Sequence, residues 1–165
     1  MIKNSAFQKT LFISSLSFAA ICLILSILAY FLMIPRAVIS ISFAALIYVG
    51  FALWTAFSYR KFFSKFNRRK FSLILLITVV ALCIWAGFNY SAFAPNIADG
   101  TAVIIDGQYY LFFDGVAEKI ISRNEYITRS LSEVKIDLSL SAAVFASCST
   151  LFFSAFKFLK EKDEK

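Results

Sequence analysis

The chain has 165 residues, 60% of them hydrophobic and 16% charged, with a mean hydropathy of +0.76 and a formal net charge of +7. A soluble domain holds about 45–50% apolar and about 25% charged residues, so the apolar surplus is expected in lipid rather than in a globular core. Histidine is absent, which removes imidazole as general base, metal ligand or titrating switch.

Crossing a hydrocarbon layer about 30 Å thick takes about 20 apolar residues in a helix. Four stretches meet that length, near Leu11–Ile34, Ala37–Ser58, Phe71–Phe93 and Leu138–Phe156. They predict an all-α membrane protein, a four-transmembrane-helix bundle with a folded loop between the last two helices. The first stretch is longer than a signal-peptide core and ends in no small-x-small cleavage site. Ala19-Ala20-Ile21-Cys22 resembles a lipoprotein cleavage box, but isoleucine departs from that pattern and the apolar run continues beyond it. An uncleaved helix is expected, joined to the second by a tight turn at Pro35 and Arg36.

Charge predicts the orientation. Lys3 and Lys9 precede the first stretch, Arg60, Lys61, Lys65, Arg68, Arg69 and Lys70 join the second to the third, and Lys157, Lys160, Lys162 and Lys165 follow the fourth. These twelve face only five bases on the other side: Arg36, Lys119, Arg123, Arg129 and Lys135. The positive-inside rule puts both termini in the cytoplasm. Trp54, Trp85, Tyr59 and Tyr90 lie toward helix ends, where amphipathic rings favour the headgroup layer. The basic Arg60–Lys70 run reads as a topology signal that also attracts anionic membrane lipids, with no nucleic-acid partner expected.

The extracytoplasmic loop, residues 94–137, holds seven of the ten acids. Thr101–Ile105, Asp106-Gly107 and Gln108–Phe113 form two β-prone runs around a two-residue turn, a strong hairpin signal. Asp114-Gly115 then leads into Val116–Ile121, which predicts a three-stranded meander. Ser122 and Glu125 have capping-box spacing, so a helix should start there. Ile127, Leu131, Val134 and Leu138 continue at helical spacing and can run straight into the fourth crossing. Tyr109, Tyr110, Phe112 and Phe113 alternate along the second strand. They make the loop either a recognition surface for a partner or a lid over the bundle.

No ionisable residue falls at mid-depth of a crossing. Asp137 and Arg36 lie at the outer ends, either as an interfacial pair or as two solvated charges. Ala142, Ala146, Thr150 and Ser154 recur every four residues, with Ser139, Ala143 and Ser147 in a neighbouring row; such faces admit close helix packing, within the chain or with a partner. Cys22, Cys83 and Cys148 fall near mid-span in three helices and read as small hydrophobes rather than a soft-metal site. No phosphate loop, HExxH, nucleophile elbow or intramembrane carboxylate pair occurs, so no catalytic, cofactor-binding or metal residue is expected.

Four crossings, a short outer first turn, and the tail Ala-Phe-Lys-Phe-Leu-Lys at Ala155–Lys160 are similar to the immunity proteins of pore-forming colicins. Asp106-Gly-Gln-Tyr-Tyr-Leu, followed by Ile121-Ser-x-x-Glu125-Tyr126, looks like a pattern of small bacterial inner-membrane proteins. The resemblance implies a non-enzymatic immunity or exclusion protein that binds a membrane-inserted toxin hairpin. The small face of the fourth helix would meet the toxin, and the outer loop would add specificity. The alternative is an accessory or structural subunit of a transport, secretion or signalling complex. A channel is a third class, disfavoured by the apolar interior of the spans.

Overall fold

The structure, a computed structural model, describes residues 5–58, 73–113 and 116–163. In chain order it contains α1 (Ser5–Leu28), a 3-10 turn (Arg36–Ile39), α2 (Ser40–Ser58), α3 (Leu73–Phe93), a second 3-10 turn (Ala94–Asn96), β1 (Thr101–Ile105), β2 (Gln108–Phe113), β3 (Val116–Ile120) and α4 (Arg123–Asp163). All four helices are long and apolar enough to cross a membrane. The basic run of residues 60–70, Tyr59, the expected helix start at Phe71, and Asp114-Gly115 lie outside the described residues.

The first helix begins and ends earlier than its hydrophobic run predicts. The N–H groups of Tyr30 and Phe31 donate to the carbonyls three residues back, at Ile27 and Leu28, which tightens the last turn. Pro35 disfavours the helical conformation in the residue before it. The α1–α2 connection therefore runs through residues 29–35 and the 3-10 turn, longer than the two-residue hinge expected.

The largest departure is α4. Its 41 residues make a rod about 60 Å long, and the expected crossing at 138–156 is only its middle. Nothing interrupts it at Asp137, because no glycine or proline occurs from Arg123 to Asp163 and the apolar stripe keeps one phase throughout. Ser122 Oγ accepts from the Glu125 N–H at 3.1 Å, and Glu125 Oε1 accepts from Arg129 Nε at 3.3 Å. The serine half of the capping box is thus made, while the glutamate holds an arginine one turn on.

The core forms where α4 meets the other three helices. Leu138, Ala142, Phe145, Ser149 and Phe152, at alternating spacings of four and three, are fully buried. α1 presents Ser15, Ala19, Cys22 and Ser26 at the same spacings, also buried, and Ala29 just past its end continues the row. Small side chains on α1 leave room for the rings of α4, so the backbones approach closely. The two helices run antiparallel: Phe12 lies by Phe153 with ring centroids 5.1 Å apart, Phe18 stacks on Phe145 at 5.2 Å, and Lys135 Nζ sits 4.3 Å from the Tyr30 ring centre.

Polar side chains inside the bundle pair between helices. Tyr48 Oη donates to Ser14 Oγ at 2.8 Å and Gln8 Nε2 to Thr55 Oγ1 at 3.4 Å, joining α2 to α1. Trp85 Nε1 donates to Ser26 Oγ at 3.1 Å and Tyr30 Oη to Asn89 Oδ1 at 2.8 Å, joining α3 to α1 and to the turn that follows it. Hydrogen bonds of this kind are the main specific glue between helices in an apolar solvent.

The strands form an antiparallel sheet in the order β1-β2-β3. Ala102 pairs with Leu111 and Ile104 with Tyr109; Tyr110 pairs with Ile120 and Phe113 with Val116, across an irregularity at Leu111/Phe112. Asp106 and Gly107 both take positive φ, 50° and 78°, the geometry of the two-residue turn that matches strand twist.

Candidate functional site

The sheet is joined to one end of the bundle by a polar cluster. Arg36 opens the 3-10 turn before α2, and its Nη2 meets Glu133 Oε2 of α4 at 2.5 Å. Nη1 of the same guanidinium donates to the carbonyl of Ala102, and the backbone amide of that residue favours the Glu133 charge. The ion pair therefore holds the backbone of edge strand β1 through its arginine. Burial works against the Glu133 charge and the Arg36 guanidinium works for it; the Glu133 side chain is 12% exposed. One turn further along α4, Ser42 Oγ donates to Asp137 Oδ2 at 2.7 Å and lies 2.9 Å from Ser141 Oγ.

Neither reading of Arg36 and Asp137, a pair or two solvated charges, describes them: Arg36 pairs with Glu133, and Asp137 accepts from Ser42. Glu133 stands level with the α1–α2 turn that carries the arginine. Asp137 stands level with the first turn of α2, where a hydroxyl meets it instead.

Two further struts fix the sheet. Asn96 Nδ2, in the 3-10 turn after α3, donates to Ser132 Oγ at 3.0 Å, and Arg129 Nη2 lies 3.7 Å from Asp99 Oδ2. On the sheet's inner face Ala102, Leu111 and Ile121 form a buried cluster flanked by Tyr109 and Tyr126, whose rings lie 4.9 Å apart. Gly100 makes the close approach possible: its φ is 123°, and a Cβ there would stand 2.6 Å from the Phe112 carbonyl oxygen.

The expected contact residues separate into three groups. Tyr109 turns inward onto α4. Tyr110 and Phe112 lie half-exposed on the opposite face, in register with Val103 and Ile120 and with Thr101 respectively. Phe113 shares the side of Tyr109 but extends beyond it and is exposed. The small residues Ala142, Ala146, Thr150 and Ser154 are all buried within the chain. Ala146 borders an apolar crevice of ≈160 Å³ with Ala19 and Leu23 of α1 and Thr78 and Leu82 of α3. Thr150 and Ser154 donate to the carbonyls of Ser147 and Thr150 at 2.7 and 2.8 Å. The stripe is thus occupied by the chain's own helices, and the aromatics and the small residues lie in different parts of the molecule.

The thiols do not converge either: Cys22 and Cys148 are buried in separate clusters and Cys83 is exposed. Among the described residues no three of His, Cys, Asp and Glu stand close enough to hold a metal ion. Sequence reasoning missed Glu133 as the partner of Arg36, and also the buried amides Gln8 and Asn89. For Asn89 the available signal was an isolated amide inside the apolar run of α3, which needs a partner to be buried at all; Glu133 and Gln8 stand beside other polar residues and give no such signal.

No protein-family model, no curated protein and no solved structure matches this chain.

Proposed function

We propose that this chain is a non-enzymatic, multi-pass protein of a bacterial inner membrane, with both termini cytoplasmic, that recognises a membrane-inserting toxin or other partner through its outward sheet, in the manner of an immunity or exclusion protein. The observation that carries this reading is the sheet itself. One face is pinned to the bundle through Ala102, Leu111 and Tyr109, and the other presents Val103, Tyr110, Phe112, Ile105 and Ile120, the last two exposed. A preordered apolar and aromatic surface binds without the entropic cost of folding a loop. The small stripe of α4 is already filled, so the contact surface moves from that helix to the sheet.

A second reading has its own support. On α2, Ile47, Gly50, Phe51 and Trp54 line an open apolar groove of ≈350 Å³, and an added Cβ at Gly50 would meet nothing within 4 Å. A partner helix fits such a groove by ridge-into-groove packing, as an accessory or structural subunit requires.

The two are separated by expressing the chain alone in cells challenged with a panel of pore-forming toxins and phages. The recognition reading expects protection against one agent, reduced at least tenfold by Tyr110→Ser with Phe112→Ser at an unchanged level in the membrane fraction. No protection, together with co-purification in a larger complex that Gly50→Leu disrupts, supports the subunit reading instead.

A further inference from the structure

We infer that the free edge of β3 takes up an extended segment of the partner as a fourth strand, with an acidic residue of that segment opposite Lys119 and an apolar one opposite Ile120; this rests on the reading above that the sheet recognises a partner.

Successive residues of a strand aim their backbone N–H and C=O groups at alternate edges. The Ile121 N–H donates to the Tyr109 carbonyl at 2.9 Å, so the backbone groups of Ile121 and Lys119 face β2 and those of Ile120 face away. The same parity holds on the β1 side. Ile105 and Gln108 close the two-residue turn as a bonded pair, Val103 and Tyr110 form the next, and Ala102 between them points outward. Its carbonyl is therefore free to accept from Arg36. One edge of the sheet is thus closed by an arginine of the bundle, and the other is open. Among the described residues no hydrogen bond reaches the outward N–H and C=O of Ile120, and α4 packs chiefly against β1 and β2. Two residues along the chain, the Ser122 N–H also has no acceptor among the described residues. Glu125, which a capping box would send back to it, bonds Arg129 instead.

An unpaired edge is a template for another strand. Main-chain bonds supply the affinity, and alternate side chains supply the choice of sequence. Ile120 continues the outward row of Val103 and Tyr110 and is 62% exposed, so the residue bonded to it extends an apolar row. Lys119 continues the inward row of Ala102 and Leu111 and is exposed at its end; no carboxylate among the described residues pairs with it. A residue opposite Lys119 forms a non-hydrogen-bonded pair, where side chains stand closest, and opposite charges there are favourable. The irregularity in the β2–β3 pairing falls between Leu111 and Phe112 and leaves residues 119–121 regular.

The test titrates the full chain in phosphatidylcholine nanodiscs with two synthetic heptapeptides, one alternating valine with glutamate and the other valine with lysine, followed by backbone-amide NMR. The glutamate peptide should shift the Ile120 amide and bind at least tenfold more tightly than the lysine peptide, and Lys119→Glu should reverse that order. Ile120→Pro removes only an outward N–H, which an edge strand tolerates. It should weaken the glutamate peptide at least tenfold with amide exchange at Ile121 unchanged. Should the proline loosen Ile121, the reversal by Lys119→Glu carries the test. Equal binding of the two peptides, or binding that survives Ile120→Pro in an intact sheet, overturns the edge site. A parent that is dimeric by light scattering and monomeric as Ile120→Pro shows the edge filled by a second copy, and also overturns it. In the toxin panel, protection lost with Tyr110→Ser and Phe112→Ser but kept by Ile120→Pro overturns the edge and leaves recognition by the sheet face standing. Edge binding of the glutamate peptide by a chain that protects against no agent removes the toxin reading and keeps the edge.

Discussion

Arg36 and Glu133 meet at 2.5 Å where the turn after α1 passes α4, and the same guanidinium holds the carbonyl of Ala102. Removing one member leaves the other partly buried and unpaired. Glu133→Ala should destabilise attachment of the sheet by about 1–3 kcal/mol, seen as faster amide exchange across β1 and β2 with the helices unaffected. Arg36→Met combined with Glu133→Leu should recover part of that protection, because the apolar pair leaves no stranded charge. Equal exchange in the Glu133→Ala variant and the parent would show that the ion pair does not hold the sheet.

Gly100 and Gly107 both have positive φ but differ in surroundings. A Cβ at Gly100 would stand 2.6 Å from backbone, whereas one at Gly107 would meet nothing within 4 Å. Gly107→Ala should cost about 1 kcal/mol from backbone conformation alone, and Gly100→Ala distinctly more, because the β1–β2 ladder must open to admit the methyl group. Thermal unfolding of the sheet followed by near-ultraviolet circular dichroism gives the ranking; the reverse order contradicts the packing described at Gly100.

Ala142 and Ala146 belong to the same small stripe but differ in the space beside them. Ala142 is fully buried, and Ala146 borders the ≈160 Å³ crevice shared with α1 and α3. Overpacking a close-packed interior costs about 1–3 kcal/mol, so Ala142→Leu should lower resistance to unfolding in mixed detergent and sodium dodecyl sulfate by that amount. Ala146→Leu places its added carbons in the crevice and should cost less. Equal losses would mean that the crevice does not accept the side chain.

Local signals carried most of the fold. Asp106-Gly107 between two β-prone runs specifies the hairpin because two successive positive φ values suit few residue pairs, and the meander stands at the expected strands with β3 ending one residue sooner. The Ser122 cap marks the start of α4 because a serine oxygen there satisfies an otherwise unpaired N–H. What pattern reading did not supply was partnership. Glu133 and Asp137 lie one turn apart on the same helix, and only the position of the α1–α2 turn decides which of them Arg36 reaches. The small stripe of α4 has the same composition whether it faces its own chain or a stranger. Its partner was legible in principle, since Ser15, Ala19, Cys22 and Ser26 of α1, with Ala29 just beyond, repeat with complementary spacing and small volume. Tyr109 and Tyr110 are equivalent in sequence, and strand alternation alone sends one onto Tyr126 and the other to the open face.

The orientation of α4 bears most directly on function, since the sheet recognises an external partner only if its far turn lies outside the cell. A membrane-impermeant maleimide applied to intact cells should label Gln108→Cys, at the start of β2, and should label Lys157→Cys, exposed near the other end of α4, only after permeabilisation. The parent chain, with Cys22 and Cys148 buried and Cys83 exposed on α3, on a surface that the proposed crossing puts in lipid, should stay unlabelled in intact cells. Labelling of Lys157→Cys in intact cells while Gln108→Cys stays protected would place the sheet in the cytoplasm and contradict recognition at the outer surface.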